Sequence, residues 1–339
     1  MTSERDTEIT TFLAQAGWGE ARRSHLAGDA SFRRYERLHA PDGTPAVLMD
    51  ADTSKGEDVR PFVRMADWLA GLGLSAPRIM AAEEAAGLLL LEDLGDDLFA
   101  RVIPGKPELE TRLYAGAIDV LSELHDATPP EGLKPYDAQV MTDLAALAFD
   151  WYLAGVSGPD PVARAEAMKP LGQALAALTA KPVVILRDYH AENLLWLPDR
   201  DGTARIGLLD FQDAMLGHPA YDLVSLLQDA RRDVPLELEE AMITRFCAAR
   251  GLDRAGFLPA YALIGLQRNL RIVGVFARLC LRDGKAHYVD LIPRVWAHLQ
   301  RDLAAVNLPD LTQALAALPA PDADVLKKLK DQCATLRTP

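Results

Sequence analysis

The chain has 339 residues, of which 49% are hydrophobic and 25% are charged, and its formal net charge is −13 at pH 7. A chain of this length and composition folds as an ordinary globular protein with a large core, and we expect two structural units. The acidic charge argues against a nucleic-acid partner, because proteins that bind nucleic acid present a basic surface to it.

The sequence also predicts a cytoplasmic protein without a membrane partner. No apolar run reaches the ~18 residues that a membrane-spanning helix needs. The N-terminal segment M-T-S-E-R-D-T-E-I-T lacks the apolar core of a signal peptide. Cys247, Cys280 and Cys333 lie far apart and have no metal-binding spacing, which is typical of reduced cytosolic thiols.

The first third of the chain predicts a helix followed by a small sheet. Apolar residues recur there with the periods of helices and strands, and the turn P-D-G-T at 41–44 separates two of the strands. In chain order the patterns predict a helix over 7–16, strands over 31–38 and 46–49, a helix over 57–71 and a strand over 88–91.

The rest of the chain predicts mainly helices. His125 ends the first of these helical stripes, and we expect it to be a packed or capping residue rather than a catalytic one. The patterns predict helices over 114–124, 138–154 and 161–178, a strand over 183–186, a helix that begins near Pro219 and a helix through 266–279.

Residues 183–213 contain a predicted hairpin around the D-G turn at 201–202. Asn193 and Asp210 are almost equidistant from this turn, so we expect them to face each other with Cα atoms roughly 5 Å apart. With Asp188 on the preceding loop, they offer oxygen ligands that suit a hard cation such as magnesium. The alternative is that all three are polar turn residues at strand ends.

The same segment resembles a known family. R-D-Y-H-A-E-N followed by L-L-D-F is similar to the catalytic loop and metal-binding strand of protein-kinase-like phosphotransferases, and in particular to aminoglycoside and choline kinases. The resemblance implies that Asp188 is the catalytic base. It also makes Arg187, which would help hold the loop, and His190, two residues after the base, candidate catalytic residues. It also implies that Asn193 and Asp210 are the Mg²⁺ ligands.

The resemblance further implies a two-lobed α+β fold. A small N-terminal lobe with an antiparallel sheet and a helix spans 1–91, a hinge spans 92–95, and a large, mainly helical catalytic and substrate-binding lobe spans 96–339. Backbone groups of the strand tip and of the hinge are expected to contact ATP, although the tip alone has the pattern of a plain hairpin turn. The candidate nucleotide-binding residues are Gly28, Ser31 and Phe32 in the tip and Leu91, Glu92 and Asp93 at the hinge.

One position departs from the family pattern. A kinase-like third strand carries a lysine that grips the nucleotide phosphates, whereas this strand has Met49. Candidates for the missing cation are Arg33, Arg34 and Lys55. Strand alternation points the two arginines to opposite faces, so at most one of them faces the nucleotide. The alternative is that both are solvated surface charges.

Two further aspartates follow the metal-binding strand. By resemblance, Asp222 is the residue that holds the catalytic loop through hydrogen bonds to its backbone. Asp213 lies three residues after Asp210, where it either reaches the metal or substrate, or caps the chain locally.

A row of arginines lies on the last informative helix. Arg268, Arg271, Arg278 and Arg282 recur at spacings that place several of them on one helical face. They either form salt bridges with surface carboxylates or bind an anionic substrate group, since the guanidinium fork suits carboxylates and phosphates.

Five segments together extend the resemblance over most of the chain. They are similar to the bacterial sugar kinases that phosphorylate N-acetylmuramate and N-acetylglucosamine at the anomeric hydroxyl. In chain order the segments are G-D-A-S-F-R-R-Y, A-V-L-M-D-A, L-L-E-D-L-G-D, L-R-D-Y-H-A-E-N-L-L-W and L-Q-R-N-L-R-I-V-G-V-F-A-R-L.

This second resemblance implies ATP and Mg²⁺ as cofactors, a small-molecule sugar as substrate, and a role in recycling cell-wall sugars. The oligomeric state is open, and a monomer is compatible with the sequence. Two alternatives are another small-molecule kinase of the aminoglycoside or choline type, and a catalytically silent ATP-binding regulator, which Met49 favours.

Overall fold

The structure is a computed structural model that describes residues 4–26 and 33–335. Within these ranges the strands are β1 (Arg22–Leu26), β2 (Arg34–His39), β3 (Pro45–Asp50), β4 (Ile79–Glu83), β5 (Leu88–Glu92), β6 (Val183–Ile185), β7 (Leu194–Trp196), β8 (Ile206–Leu208) and β9 (Met215–Gly217).

The helices of the described residues run through the whole chain. They are α1 (Glu4–Gln15), α2 (Arg60–Gly71), α3 (Phe99–Gly105), α4 (Glu110–Asp126), α5 (Ala138–Ala145), α6 (Ala154–Ser157), α7 (Pro161–Ala176), α8 (Ala220–Leu227), α9 (Leu236–Ala249), α10 (Arg254–Leu281), α11 (Ile292–Val306), α12 (Pro309–Leu315) and α13 (Ala323–Asp331). Ala148–Leu153 is a π-helical segment, and short 3₁₀ turns occupy Thr53–Lys55, Pro107–Leu109, Gly202–Arg205 and Ala286–Leu291.

The chain forms two compact units. The first comprises 1–120 and 191–214, and the second comprises 121–190 and 215–339. The first unit therefore contains both the N-terminal sheet and the later hairpin of β7 and β8. The predicted lobe boundaries at 91 and 95 are a different division of the chain and stay a prediction.

The sheet of the first unit is antiparallel throughout, in the order β1-β2-β3-β5-β4. Alternate residues of each strand face opposite sides, and one side packs under α1. The residues buried in this layer are Ile9, Phe12, Leu13, Leu38, Ala46, Leu48, Leu88 and Leu90. The other side of the sheet is left to line a cavity.

The predicted hairpin is confirmed, with a small shift in register. β7 pairs antiparallel with β8 so that Leu194 lies opposite Leu208 and Trp196 opposite Ile206. The backbone N–H of Leu209 donates to the carbonyl of Asn193 at 3.0 Å. Asn193 is therefore opposite Leu209, one residue away from the predicted partner Asp210.

The second unit is mainly helical and is built around α10. On this helix Leu270, Val273 and Ala277 are fully buried, as the apolar spacing predicts. Its Gly274 lies so close to the backbone of Leu147 that a Cβ there would come within 2.2 Å of the carbonyl carbon. With the first unit, this arrangement confirms the α+β fold with a sheet in the N-terminal part and helices in most of the C-terminal part.

One predicted helix in this unit is wrong as a continuous element. The pattern predicts a helix over 138–154, but α5 ends at Ala145 and Ala148–Leu153 is π-helical. The sequence also did not predict the strand β4. In contrast, the packing of the C-terminal part, which the sequence left open, is clear: Leu311, Leu315 and Leu329 are buried.

In the part of the chain that the structure describes, every helix is too short or too polar to span a bilayer.

Candidate active site

A cavity of about 270 Å³ lies within the first unit. Strand alternation explains the wall that the sheet contributes, because Val47, Met49 and Leu91 point away from the face that packs under α1. Tyr35 is opposite Met49 and Arg37 is opposite Val47 in the sheet register, and both also line the cavity. The wall is therefore apolar, with one phenol and one guanidinium group.

The hairpin and the segment after β5 complete the cavity. Residues 92–96 form one edge, with Leu195 on the opposite apolar side. Asn193 and Asp210 line the same cavity from the open end of the hairpin. The cavity thus combines an apolar interior, a backbone edge and a pair of oxygen-bearing side chains, which is the usual make-up of a small-molecule site.

Arg37 fixes the edge of the cavity. Its guanidinium forms ion pairs with Asp93 at 2.6 Å and with Asp96 at 2.7 Å. The hydrogen bond to Asp96 raises the pKa of Arg37 well above its usual value. Asp93 in turn accepts a hydrogen bond from the backbone N–H of Gly95 at 2.9 Å. The predicted hinge residue Asp93 therefore uses its side chain to hold the segment in place.

Glu92 ties the same edge to the hairpin. Its carboxylate accepts hydrogen bonds from Arg200 at 2.6 Å and from the backbone N–H of Arg78 at 3.3 Å. Arg200 also donates to the Ser75 hydroxyl at 2.6 Å. The carboxylate of Glu92 is thus already hydrogen-bonded within the protein. At this edge, a ligand would be contacted by backbone groups rather than by this carboxylate.

Asn193 and Asp210 come together where β7 and β8 end. The Asn193 amide lies 3.5 Å from one carboxylate oxygen of Asp210, and Gln212 donates to the other at 2.6 Å. Asp210 has a positive φ of 57°, a left-handed conformation that non-glycine residues adopt mainly at functional or strained positions. Next to it, Phe211 packs on Phe62 of α2 with ring centroids 4.8 Å apart.

This pair fits a magnesium ion chemically. Carboxylate and amide oxygens are the hard ligands that Mg²⁺ prefers, and the ion usually takes only one or two ligands from the protein. The structure therefore brings together the two residues that the sequence predicts as metal ligands.

The two arginines proposed to replace the missing lysine have different partners. Arg33 pairs with Glu57 at 2.9 Å, and both side chains are 14% exposed. Arg34 pairs with Asp50 at 2.5 Å, and Asp50 also binds Arg5 at 2.6 Å.

Their positions follow from the alternation of β2. Tyr35 and Arg37 face the cavity, so Arg34 belongs to the α1 face of the sheet. Arg33 precedes the strand, and the nearby charges that raise its pKa against burial include Tyr35, Glu57 and Asp213. The third candidate, Lys55, lies 3.5 Å from Asp52.

The other residues predicted for the nucleotide site and its surroundings are placed as follows. Gly28, Ser31 and Phe32 lie outside the described residues. Leu91 is buried and lines the cavity. Asp213 is exposed, and its charge acts on Arg33.

The loop that carries Asp188 belongs to the second unit and is held by its backbone. The N–H groups of Leu186 and Arg187 donate to the two carboxylate oxygens of Asp222 at 2.6 and 2.9 Å. Arg187 has a positive φ of 74°. Asp222 is fully buried, and burial raises its pKa to about 7 although both amides favour the charged form. This contact is the kind of support that the sequence predicts for Asp222.

Asp188 is surrounded by positive charge. Burial acts to raise the pKa of Asp188, but Arg271, His190, Arg268 and Arg187 together outweigh it, so the pKa lies below its usual value. The carboxyl group is therefore a charged hydrogen-bond acceptor at neutral pH. It can orient a hydroxyl group and receive its proton.

His190 is a neutral, buried side chain. Burial lowers its pKa to about 4, and Arg231 lies 3.3 Å from its Nε2 atom. Because arginine can only donate, Nε2 must be the acceptor and the ring proton must be on Nδ1. His190 is thus a neutral, hydrogen-bonded residue within the loop.

The arginine row of α10 divides into two parts. Arg268 is 5% exposed and donates to the Ser225 hydroxyl at 2.6 Å, and Arg271 donates to the Tyr221 hydroxyl at 2.7 Å. Arg278 lies two turns further along, roughly 10 Å at 1.5 Å per residue, where burial and Arg282 lower its pKa. The structure thus places the first two near Asp188 and the third apart from them.

Comparisons with known proteins agree with this arrangement. Residues 23–258 match the model of the phosphotransferase enzyme family, known as APH. Over 92% of its length, the chain is 42% identical to an N-acetylmuramate/N-acetylglucosamine kinase of Caulobacter vibrioides, 96% of which is covered. The chain belongs to the phosphotransferase enzyme family.

A second curated relative supports the same conclusion, and solved structures share the fold. An N-acetylmuramate/N-acetylglucosamine kinase of Pseudomonas aeruginosa is 36% identical over 93% of this chain and 94% of its own. Among solved structures, choline kinase LicA from Streptococcus pneumoniae superposes with a TM-score of 0.62 at 13% identity, covering 90% of this chain and 99% of that one. ADP-bound aminoglycoside phosphotransferase APH(2'')-Ib gives 0.59 at 13% identity, covering 91% and 100%.

These likenesses establish the fold and the reaction class. The protein is a phosphotransferase with a protein-kinase-like fold.

Several residues around the cavity of the first unit and around the arginines of α10 in the second were not found from the sequence. Arg37 and Arg200 hold the cavity edge, and Glu57 holds Arg33. The paired Tyr136 and Tyr221 lie beside the arginines of α10. Arg37 could have been found, because strand alternation places it on the face opposite Leu38. The others act through tertiary contacts that no local pattern announces.

Proposed function

We propose that the protein is an ATP-dependent sugar kinase that transfers the γ-phosphate to the anomeric hydroxyl of N-acetylmuramate or N-acetylglucosamine. The cavity-facing pair of Asn193 and Asp210 is the observation that carries the phosphoryl-transfer function. The two curated relatives, which match nearly the whole chain, support the choice of sugar. The role would be recycling of cell-wall sugars in the cytoplasm, and the three free cysteines fit that compartment.

ATP would bind in the cavity of the first unit. Val47 and Leu195 would pack on the two faces of the adenine ring, and backbone groups near Glu92 and Asp93 would hydrogen-bond its edge. The ion pairs of Arg37 and Arg200 keep this edge rigid before the nucleotide arrives. A preformed edge lowers the entropic cost of binding.

Asn193 and Asp210 would hold Mg²⁺ through their oxygen atoms. The ion would supply neutralisation of the phosphate charges that build up during transfer. Asp210 is held ready by Gln212, whose amide fixes one carboxylate oxygen at 2.6 Å.

Asp188 would act on the acceptor hydroxyl. The carboxylate accepts the hydrogen bond of the C1 hydroxyl and takes its proton as the new bond from that oxygen to the γ-phosphorus forms and the bond from phosphorus to the ADP oxygen breaks. Its lowered pKa makes it a weak base. A weak base is sufficient, because the transition state of phosphoryl transfer is loose and needs little charge on the nucleophile. Orientation is therefore its main contribution.

Arg33 would replace the lysine that the third strand lacks. Glu57 lies just before α2 and holds the guanidinium of Arg33 at 2.9 Å. In kinase-like enzymes a lysine on the third strand is held by a glutamate of the following helix. The pair Arg33–Glu57 would recreate this arrangement with a cation from the segment just before β2.

The reaction can be tested by phosphorus NMR with ATP and a panel of acceptors that includes both sugars, an aminoglycoside and choline. We expect an acid-labile anomeric phosphate from N-acetylmuramate and N-acetylglucosamine. A stable monoester from another acceptor would instead identify a different small-molecule kinase. Absence of product from every acceptor, with ATP still bound, would identify a regulator.

The Asp188→Asn variant tests the role of Asp188 in the same experiment. It removes the proton acceptor but keeps the size of the side chain, so we expect loss of product with nearly unchanged ATP affinity. Wild-type turnover by this variant would contradict the role of Asp188.

A further inference from the structure

We propose that Arg271, oriented by Tyr221 and Tyr136, is a carboxylate-binding group that recognises the acidic side chain of N-acetylmuramate. This inference rests on the proposed sugar-kinase function and adds a specificity-determining residue to it. The two sugars differ in the relevant chemistry, because N-acetylmuramate carries a lactyl carboxylate that N-acetylglucosamine lacks.

The first observation is a local group of guanidinium side chains around Asp188. Arg268 and Arg271 act on the carboxylate of Asp188, and Arg268 acts also on the buried carboxylate of Asp222. Within residues 4–26 and 33–335, neither Arg268 nor Arg271 makes a salt bridge to a carboxylate. A guanidinium group that is mostly removed from water is normally matched by an anion. A ligand carboxylate would supply that anion to Arg271.

Arg271 has hydrogen-bonding capacity left for such a ligand. Of the five N–H groups of a guanidinium, one is used by the described residues, in the 2.7 Å bond to the Tyr221 hydroxyl. Arg271 is also partly exposed, so a small molecule can reach it. A carboxylate binds such a fork through two parallel hydrogen bonds.

The tyrosine pair fixes the direction of this guanidinium. The hydroxyls of Tyr136 and Tyr221 are 3.2 Å apart, and their rings meet edge to face with centroids at 4.8 Å. Both side chains are buried. Burial raises the pKa of Tyr136 far above its usual value, so this phenol stays neutral. Arg271 is therefore bound to a buried pair of phenols rather than to a competing carboxylate.

Arg268 and Arg278 fit this role less well. Arg268 is 5% exposed, and its Nη2 atom donates to Ser225, whose hydroxyl lies 3.4 Å from the carbonyl of Arg187. Arg268 is thus a positioning residue for the loop. Arg278 lies two helical turns away, so Arg271 is the arginine of this row that is both near Asp188 and open to a ligand.

The inference is tested by steady-state kinetics of Arg271→Ala with both sugars. Loss of Arg271 also removes a charge that acts on Asp188, so kcat/KM should fall for both substrates. The carboxylate contact predicts a larger fall for N-acetylmuramate, which lowers the ratio of its kcat/KM to that of N-acetylglucosamine at least tenfold. Arg271→Lys keeps the charge but not the fork, and should lower the ratio by a smaller factor.

Arg254→Ala is the matched control. Arg254 is on the same helix and pairs with Glu240 on the surface, about 25 Å from Arg271 at 1.5 Å per residue. For Arg254→Ala we expect the ratio of kcat/KM for N-acetylmuramate to kcat/KM for N-acetylglucosamine to stay at its wild-type value. Binding of N-acetylmuramate in the absence of ATP should follow the same order, with the highest affinity for the wild-type protein, a lower one for Arg271→Lys and the lowest for Arg271→Ala.

The outcomes separate the two levels of the proposal. An equal fall of kcat/KM for both sugars in Arg271→Ala would overturn the carboxylate contact and leave the kinase function standing. If the wild-type protein phosphorylates neither sugar, the proposed function itself fails, whatever the variants do. If Arg271→Ala is unfolded by circular dichroism, Tyr221→Phe provides the same test, because it removes the hydroxyl that orients Arg271 and should lower the ratio in the same direction.

Discussion

Arg33 and Arg34 are neighbours in the sequence, but their guanidinium groups have different partners. Arg33, just before β2, is held by Glu57, and Arg34, the first residue of β2, is held by Asp50 on the α1 face. The start of β2 therefore separates the arginine that we propose for the nucleotide from one that holds the sheet to α1.

We predict that Arg33→Ala weakens ATP binding, because it removes charge-assisted hydrogen bonds to phosphate that are worth about 1.5–3 kcal/mol. This corresponds to a rise in Kd of roughly 10- to 100-fold. Adenosine, which has no phosphate, should bind as it does to the wild-type protein. Isothermal titration calorimetry with ATP and adenosine measures both effects.

Arg34→Ala is the control for this prediction. The Arg34 side chain is 56% exposed, and Asp50 keeps its second partner Arg5 after the substitution. We expect an unchanged Kd for ATP. If Arg34→Ala weakened ATP binding as much as Arg33→Ala, the assignment of nucleotide binding to Arg33 alone would be wrong.

At the scale of elements, the crossing of α10 with the π-helical segment depends on one glycine. A Cβ at Gly274 would lie 2.2 Å from the carbonyl carbon of Leu147 and 2.5 Å from the backbone nitrogen of Ala148. Backbone atoms cannot move aside as a flexible side chain can. The helix and the segment approach as closely as they do because position 274 has no side chain.

We predict that Gly274→Ala lowers the free energy of unfolding by about 3 kcal/mol, at the upper end of the usual cost of overpacking. Urea denaturation of the purified variant measures the change. Gly71→Ala is the matched control, since nothing lies within 4 Å of its added Cβ and it is the last residue of α2. There, alanine should be neutral or stabilising by up to about 1 kcal/mol. Equal stabilities of the two variants would show that the crossing can relax.

The elements of the site show what a sequence pattern can and cannot predict. The hairpin that carries Asn193 and Asp210 was predictable, because a D-G turn and two apolar runs are local signals. The π-helical segment was not, because its apolar pattern continues that of α5. Its close contact with Gly274 joins residues that lie far apart in the sequence.

The same distinction holds for the side chains of the site. Asp188, Asn193 and Asp210 could be proposed from their residue types and spacing within a single motif. The partners Glu57, Arg37 and Arg200 could not, because many carboxylates and arginines in this acidic chain satisfy the same chemical rule. Tertiary structure decides which of them meet.

For the whole molecule, buried histidines and aspartates of the second unit, whose pKa values are shifted, make stability depend on pH. Burial lowers the pKa of His125 to about 3 and those of His190, His218 and His298 to about 4. Each of these histidines takes up a proton near pH 6.5 when the chain unfolds but stays neutral in the folded state down to about pH 4. Their contribution to stability is therefore present above pH 6.5 and is lost as the pH falls from 6.5 toward 4.

Two buried aspartates act in the opposite direction. Burial raises the pKa of Asp222 and of Asp302 to about 7, so the folded state holds two protons that the unfolded chain has released above about pH 4. Their stabilisation is present at low pH and is lost as the pH rises through 7. Between about pH 4.5 and 6, four histidines and two aspartates leave a net uptake of two protons on unfolding.

We therefore predict that the free energy of unfolding falls by about 3 kcal/mol for each pH unit of acidification in this range. Urea denaturation at several pH values measures the slope. His125 offers a clear test, since it is 7% exposed, packs edge to face on Phe246 and has no hydrogen-bond partner for either ring nitrogen among the described residues. His125→Phe should reduce the slope by about 1.4 kcal/mol per pH unit, whereas Asp302→Asn should increase it by a similar amount. A slope that neither substitution changes would mean that these buried groups keep their ordinary pKa values in the folded protein.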